Sequence, residues 1–281
     1  MREFQARMKA LEQVEQINKA SQAEQVQIIQ QQSGEYETLL IALQNDVNRI
    51  RALPTFEQRK EVKRQEFLPK WLPFVEQYLA DKQVYQNDYF IYCIIYLFDV
   101  GDFDRALALA EQAIEQNQAM PDRFSSNLPT FVADQIYKWA DKTAAVGLSV
   151  EPYFSQTLQN VATQWNLHEV VTAKWLKMAA ELLLRNRNKG IVNASGVIDY
   201  ERLILAIQLC NKAFQLNPKI GVKTMIERCV MRLNALRKKD KRIPPVAGLS
   251  FENEAINFDL IIEKLRSCPP NPNEKDGLTN V

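Results

Sequence analysis

Along most of this chain apolar residues recur at steps of three and four, the spacing that lays side chains along one face of an α-helix. Tyr36, Leu39, Leu40, Leu43, Val47 and Ile50 make one such face, which Pro54 ends. Thr55 and Gln58 spell a capping box for the charged helix FEQRKEVKRQEFL. Leu68-Pro69-Lys70-Trp71-Leu72-Pro73 reads as a rigid corner, because each proline lacks a donor and restrains the residue before it; helix resumes from Phe74 to Leu79. Asn87 or Asp88 caps an apolar helix through Tyr89, Ile94 and Leu97, and Met120 to Pro129 reads as a loop before a helix from Phe131 to Ala140. Glu151 to Arg187 carries two more helices, the second marked by Val171, Trp175, Met178, Ala179 and Leu182. Asn186 to Ser195 is polar, holds Gly190, and is the best internal hinge.

Small residues refine this pattern. Ala106, Ala110 and Ala113 are spaced by four and then three inside GDFDRALALAEQAIEQNQAMP, so they stack where a neighbouring helix backbone approaches closely. Ala206, Cys210 and Ala213 repeat the spacing in AIQLCNKAFQLNP, and Pro218 closes that unit as prolines close tetratricopeptide repeats. The predicted fold is all-α, built of antiparallel helical hairpins with tetratricopeptide-like packing. A Gln-rich N-terminal helix with Phe4, Met8, Leu11, Val14 and Ile17 on one stripe is expected to support self-association, and the acidic C-terminal end is expected to be flexible. Four regions follow from the breaks: 1–54, N-terminal helices; 55–190, a central helical body; 191–243, a repeat-like pair with a basic helix; 244–281, the acidic tail.

Composition supports helix, since the chain of 281 residues holds only 8 glycines. Lysine and arginine number 35 against 34 acids, so overall charge argues for no nucleic-acid partner and any such argument rests on local clustering. Cys93, Cys210, Cys229 and Cys268 form no close pair and read as buried thiols of a reducing compartment. His168 is the single histidine, which leaves no two-histidine zinc site. Met1 to Ala20 is charged throughout, and the longest apolar run, Tyr89 to Phe98, is about half a membrane span, so a soluble intracellular protein with no membrane partner is expected.

Lys219 to Arg242 gathers nine cations against Glu227 and Asp240. Val222, Met225, Ile226, Cys229, Leu233 and Leu236 fall in one sector of the helical wheel, leaving the cations the remaining circumference. Lys223, Arg228, Arg232, Arg237, Lys238, Lys239, Lys241 and Arg242 are therefore candidate phosphate-binding residues, extended by Arg185 and Arg187 in the hinge. Arg49 to Lys70 is a second basic cluster, but its seven cations alternate with Glu57, Glu61 and Glu66 and read as intrahelical ion pairs. Asp99, Asp102 and Asp104 flank a helix turn and read as caps; Glu61-Val62-Lys63 has the spelling of a nuclease pair but lies on a helix. No GxxxxGK[ST] loop is present, no catalytic residue or metal ligand is assigned, and no cofactor is evident beyond the divalent metal that a nuclease reading would bring.

LPKWLPFV from Leu68, the Tyr89 to Phe98 helix, FDVGDFDRALALAEQAIEQ from Phe98, MPDRF from Met120 and LPTFVADQI from Leu128 together resemble the small terminase subunit of peduovirus-type tailed bacteriophages, also called terminase endonuclease subunit M. The resemblance implies a subunit that binds the cohesive-end region of double-stranded phage DNA. It also implies that, with a large ATPase subunit, the protein directs cleavage and packaging into the prohead, as a homo-oligomer in the host bacterial cytoplasm. Two alternatives stay open: that this subunit is itself the metal-dependent endonuclease, and that it is a helical scaffold touching protein only.

Overall fold

The computed structural model describes residues 36–186, 191–245 and 256–267. The Gln-rich stretch 1–32, Arg187, Cys268 and the end of the tail lie outside the described residues. The chain divides into two compact units between Pro121 and Asp122. The regular elements of its described residues are helical apart from one antiparallel ladder of two residues per strand, so the fold class is all-α.

The first unit opens with α1 (residues 36–52), which buries Leu43, Val47 and Ile50. Then α2 (Phe56–Val62), a π-helical turn (Lys63–Phe67) and α3 (Leu68–Ala80) follow without a break. The corner expected at Leu68 to Pro73 is thus continuous helix. The Leu68 N–H reaches back five residues to the Lys63 carbonyl, and this widened turn admits the Pro69 ring that a tighter turn would drive against a carbonyl. Pro73 lies inside α3, and both prolines are on the exposed side of the helix.

Next, α4 (Asp88–Val100) is buried at every position from Tyr89 to Phe98, as its all-round apolar sequence requires. Asn87 caps it by accepting the Phe90 N–H at 3.0 Å. Gly101 ends it at φ +85°, where its N–H and that of Asp102 return to the Leu97 carbonyl, and the chain reverses into α5 (Phe103–Glu115). Asp102 caps α5, and Ala106, Ala110 and Ala113 are at most 1% exposed on the face that packs against α4. Trp71 stacks on Tyr89, with ring centroids 6.0 Å apart, while its indole N–H donates to Asp46 at 3.0 Å. Gln118 closes the unit: its carbonyl accepts the Asn87 N–H, and its amide donates to the Tyr78 hydroxyl and the Tyr85 carbonyl.

The second unit runs through α6 (Leu128–Ala145), α7 (Tyr153–Thr163) and α8 (Glu169–Leu184). Asn127 caps α6 with Pro129 in the first turn, so this helix starts inside the segment expected to be loop and ends five residues beyond Ala140. Phe154 of α7 stacks on Trp175 of α8 at 5.0 Å. The expected hinge holds more order than its composition suggested. Arg185–Asn186 (β1) pairs antiparallel with Ile191–Val192 (β2), and a 3-10 turn, Ala194–Gly196, follows. Then come α9 (Tyr200–Leu216), packed extensively on α8, α10 (Lys223–Lys239), packed on α9, and α11 (Phe258–Arg266), which touches α7, α8 and α9. Ala206, Cys210 and Ala213 are fully buried, and the Cys210 thiol meets the Met225 sulfur of α10 at 3.5 Å.

Two predictions follow from this packing. Ala110→Trp should overpack the α4–α5 contact, costing about 1–3 kcal/mol and lowering the melting temperature; an unchanged melt would place that face in solvent. Lys264 of α11 bonds Asp199 at 2.8 Å and also pairs with Glu201, which raises its pKa. Burial opposes the Asp199 charge, but Lys264 and the N–H groups of Glu201 and Arg202 outweigh it and leave the carboxyl below its ordinary value. Because that folded pKa is depressed, the stabilisation is present above the ordinary carboxylate value, near 4, and fades as pH falls through the folded one. Lys264→Met should therefore cost about 0.5–1 kcal/mol at pH 7 in denaturant melts of the full chain, and the gap from the parent should narrow as pH falls through the depressed folded pKa of Asp199. A gap that persists in acid would show that the lost term was packing of the lysine stem.

Candidate nucleic-acid interface

A short loop sets the start of the basic helix: the Asn217 side chain accepts the Lys219 N–H at 3.1 Å and Gly221 turns the chain at φ +77°. Lys177 of α8 pins this loop by donating to the Ile220 carbonyl at 3.1 Å. From there α10 rises about 25 Å at 1.5 Å per residue. It buries Cys229 and Leu233, with Val222 just before it, while Met225, Ile226 and Leu236 are half-buried beside them. That is the sector the sequence assigned to packing. Burial pushes the Cys229 thiol up to about 12, and the Cys210 thiol likewise, so neither is a thiolate near neutral pH.

The cations divide into three kinds. Lys223, Arg228, Arg237, Lys238, Lys239 and Lys241 are exposed, and among the described residues Arg228, Arg237, Lys238, Lys239 and Lys241 make no ion pair. Lys223 lies over the Phe214 ring, 5.4 Å from its centroid, its ammonium still open to solvent. Arg242 holds Asp240 through its guanidinium, which donates from Nε to Oδ1 at 3.0 Å and from Nη2 to Oδ2 at 2.8 Å, and through its backbone N–H, in a pair that is itself largely solvated. Arg232 is different again, because its Nε donates to the Val197 carbonyl at 2.8 Å and ties α10 to the 3-10 turn. Arg185 turns inward and donates to the Ala144 carbonyl at 3.1 Å. The last-turn cations Arg237, Lys238 and Lys239 also complement the partial negative charge of the helix C-terminus. Exposed and unneutralised, they form a local positive surface on a chain whose total charge nearly cancels.

The second basic cluster is built otherwise. Arg49 meets Glu66 at 2.7 Å, Lys70 meets Asp46 at 2.7 Å, and buried Lys63 meets Asp99 at 2.6 Å. Each of these pairs joins different elements, so the cations lace the unit together chiefly between helices, while Arg49 also meets Asp46 along α1 at 4.0 Å. Arg59 and Arg64 donate to the Leu53 and Val100 carbonyls.

The candidate carboxylates do not converge. Asp99 is held by Lys63, Asp102 caps α5 and grips Arg105, and Glu61 is exposed while Lys63 turns inward, as residues two apart on a helix must. His168 caps α8, its Nδ1 accepting the Val170 N–H at 3.2 Å. Among the described residues no group of three or more histidine, cysteine, aspartate or glutamate side chains is placed to hold a metal ion. Sequence spacing gave no sign of Glu181, on α8. Burial raises its carboxyl, the charges of Lys177 and Arg185 oppose that rise, and Asp141 of α6 adds to it. Residues 40 positions apart show their proximity only once α6 and α8 are folded. Among the described residues no helix is long and apolar enough to cross a membrane.

Comparison with known proteins gives this geometry a family. The family described as phage small terminase subunit matches residues 40–170. The chain is 59% identical to a probable terminase, endonuclease subunit, of Haemophilus phage HP1 (strain HP1c1), over 99% of each chain. It is 28% identical to the terminase, endonuclease subunit, of Escherichia phage P2, over 69% of this chain and 72% of that one. No solved structure matches. With near-complete coverage at that identity, the chain belongs to the phage small terminase subunit family.

Proposed function

We propose that this chain is the subunit of a phage terminase that binds duplex DNA at the cohesive-end region, passes it to a large ATPase subunit, and directs cleavage and packaging into the prohead. The observation that carries this reading is the set of exposed, unneutralised cations Arg228, Arg237, Lys238, Lys239 and Lys241 on and just beyond a helix that packs along its apolar stripe. Flexible cations on a helix bind backbone phosphate and release counterions, which gives affinity with a steep salt dependence. The apolar stripe in the sequence of residues 1–32 supports a homo-oligomer, and the setting is the host bacterial cytoplasm.

Changing Arg228, Arg237, Lys238 and Lys239 together to alanine should weaken binding to a cohesive-end duplex and to a random duplex alike, by about 100-fold or more at moderate salt. The slope of log affinity against log salt should flatten by about three to four. Folding should survive, because the buried stripe is untouched. Unchanged affinity and slope would remove α10 as the DNA surface and move attention to Arg51 and Lys60.

A second reading, that this subunit makes the cut itself, is favoured by the names that both relatives carry, with Glu181 a carboxyl whose pKa is raised by burial. The recognition reading expects the purified chain alone to leave a cohesive-end duplex intact in Mg²⁺ or Mn²⁺. Metal-dependent nicking that Glu181→Gln abolishes would transfer the chemistry to this subunit.

A further inference from the structure

The phosphate-binding row leaves one part of α10 unexplained. On a helical wheel of 100° per residue, Met231 stands opposite the buried stripe Val222, Cys229 and Leu233, with Thr224, Glu227, Arg228, Asn234, Ala235 and Lys238 within about 60° of it. All seven are exposed, Met231 at 71%. A helix crest that serves only as solvated surface ordinarily carries charge, and one that lies along a phosphate row carries cations. This crest carries a thioether, an amide, a hydroxyl and a carboxylate, with cations only at its edge, Arg228, and toward its C-terminal end, Lys238. The cations stand on its shoulders, Arg228 and Lys239 on one side, Lys223 and Arg237 on the other, with Lys238 near its C-terminal end.

Glu227 decides between the alternatives. A carboxylate in the middle of a phosphate-binding face is repelled by the ligand, whereas one that faces base edges accepts from the exocyclic amine of cytosine. Asn234 has the donor and acceptor that pair with adenine N6 and N7, and Met231 and Ala235 offer apolar surface to a thymine methyl. The dimensions agree, since a helix with its side chains is about 10–12 Å across and the major groove of B-form DNA about 12 Å wide. The packing of α10 lies on α9 and on the 3-10 turn, away from the crest. We propose that α10 enters the major groove crest first, so that Glu227, Met231 and Asn234 read base edges while the shoulder cations hold the two flanking phosphate rows. The proposal rests on the reading of α10 as the DNA surface and gives that surface its source of sequence discrimination.

The test is selection from a library of randomised duplexes by the full chain, followed by binding to the enriched duplex and to an unselected one. Three proteins are compared: the parent, the triple variant Glu227→Ala, Met231→Ala, Asn234→Ala, and the shoulder variant with Arg228, Arg237, Lys238 and Lys239 changed to alanine. The parent should enrich a motif. The triple variant should lose about tenfold or more of the preference for it while keeping affinity for the unselected duplex within about threefold and its salt slope unchanged. Glu227→Gln alone should alter the preference at one position of the motif. Equal thermal melts of parent and variants establish that folding is intact, as substitution of exposed side chains leads one to expect. A parent that enriches no motif, or a triple variant that enriches the same one, overturns the proposal. If that triple variant also loses its complex with the large subunit, the crest is a protein-docking surface. The underlying reading fails separately, and only then, if the shoulder variant binds the unselected duplex as the parent does.

Discussion

Close approach of helix backbones, made possible by small residues at steps of four and three, is the constraint on which both units depend. Ala106, Ala110 and Ala113 let α5 lie against α4, a helix so apolar that every residue from Tyr89 to Phe98 needs a neighbour. Ala206, Cys210 and Ala213 do the same within the second unit, where α9 packs on α8 and receives α10. Larger side chains there would force off-rotamer packing or push the helices apart.

That packing has an electrostatic consequence for α10. Because α9 accepts it along a narrow stripe, most of its circumference faces solvent, and the cations that fill it are not consumed by the fold. The contrast with Arg49 to Lys70 is instructive. There almost the same density of positive charge is absorbed by Asp46, Glu66, Asp99 and backbone carbonyls, and the result is a laced structure rather than a binding surface. Charge counting does not separate the two clusters; the identity of the partners does.

Much of the fold was legible in the sequence because the signals were local. Asn87, Asp102 and Thr55 cap helices as their spacing indicates, and Gly101 ends α4 in the left-handed conformation that favours glycine. The failures have a common cause. Pro69 and Pro73 promise a corner, yet the π-turn at Lys63–Phe67 that admits Pro69 carries no composition signal of its own, and Pro73 sits on the exposed side of α3. The ladder β1–β2 is two residues per strand, too short for any alternation to show. Of the site, the apolar sector and exposed face of α10 were readable from period alone. That Arg232 and Arg185 spend their guanidinium groups on the Val197 and Ala144 carbonyls, and that Glu181 lies in the field of Asp141, are tertiary facts that spacing does not contain.

The central claim is that duplex DNA lies on α10 and not on the laced cluster of the first unit. Lysine acylation footprinting of the full chain, read by mass spectrometry with and without a cohesive-end duplex, measures this residue by residue. The account predicts that Lys238, Lys239 and Lys241 become protected, with Lys223 following, while Lys60 and Lys70 react equally in both conditions. Protection of Lys60 and Lys70 with the α10 lysines unchanged would contradict it.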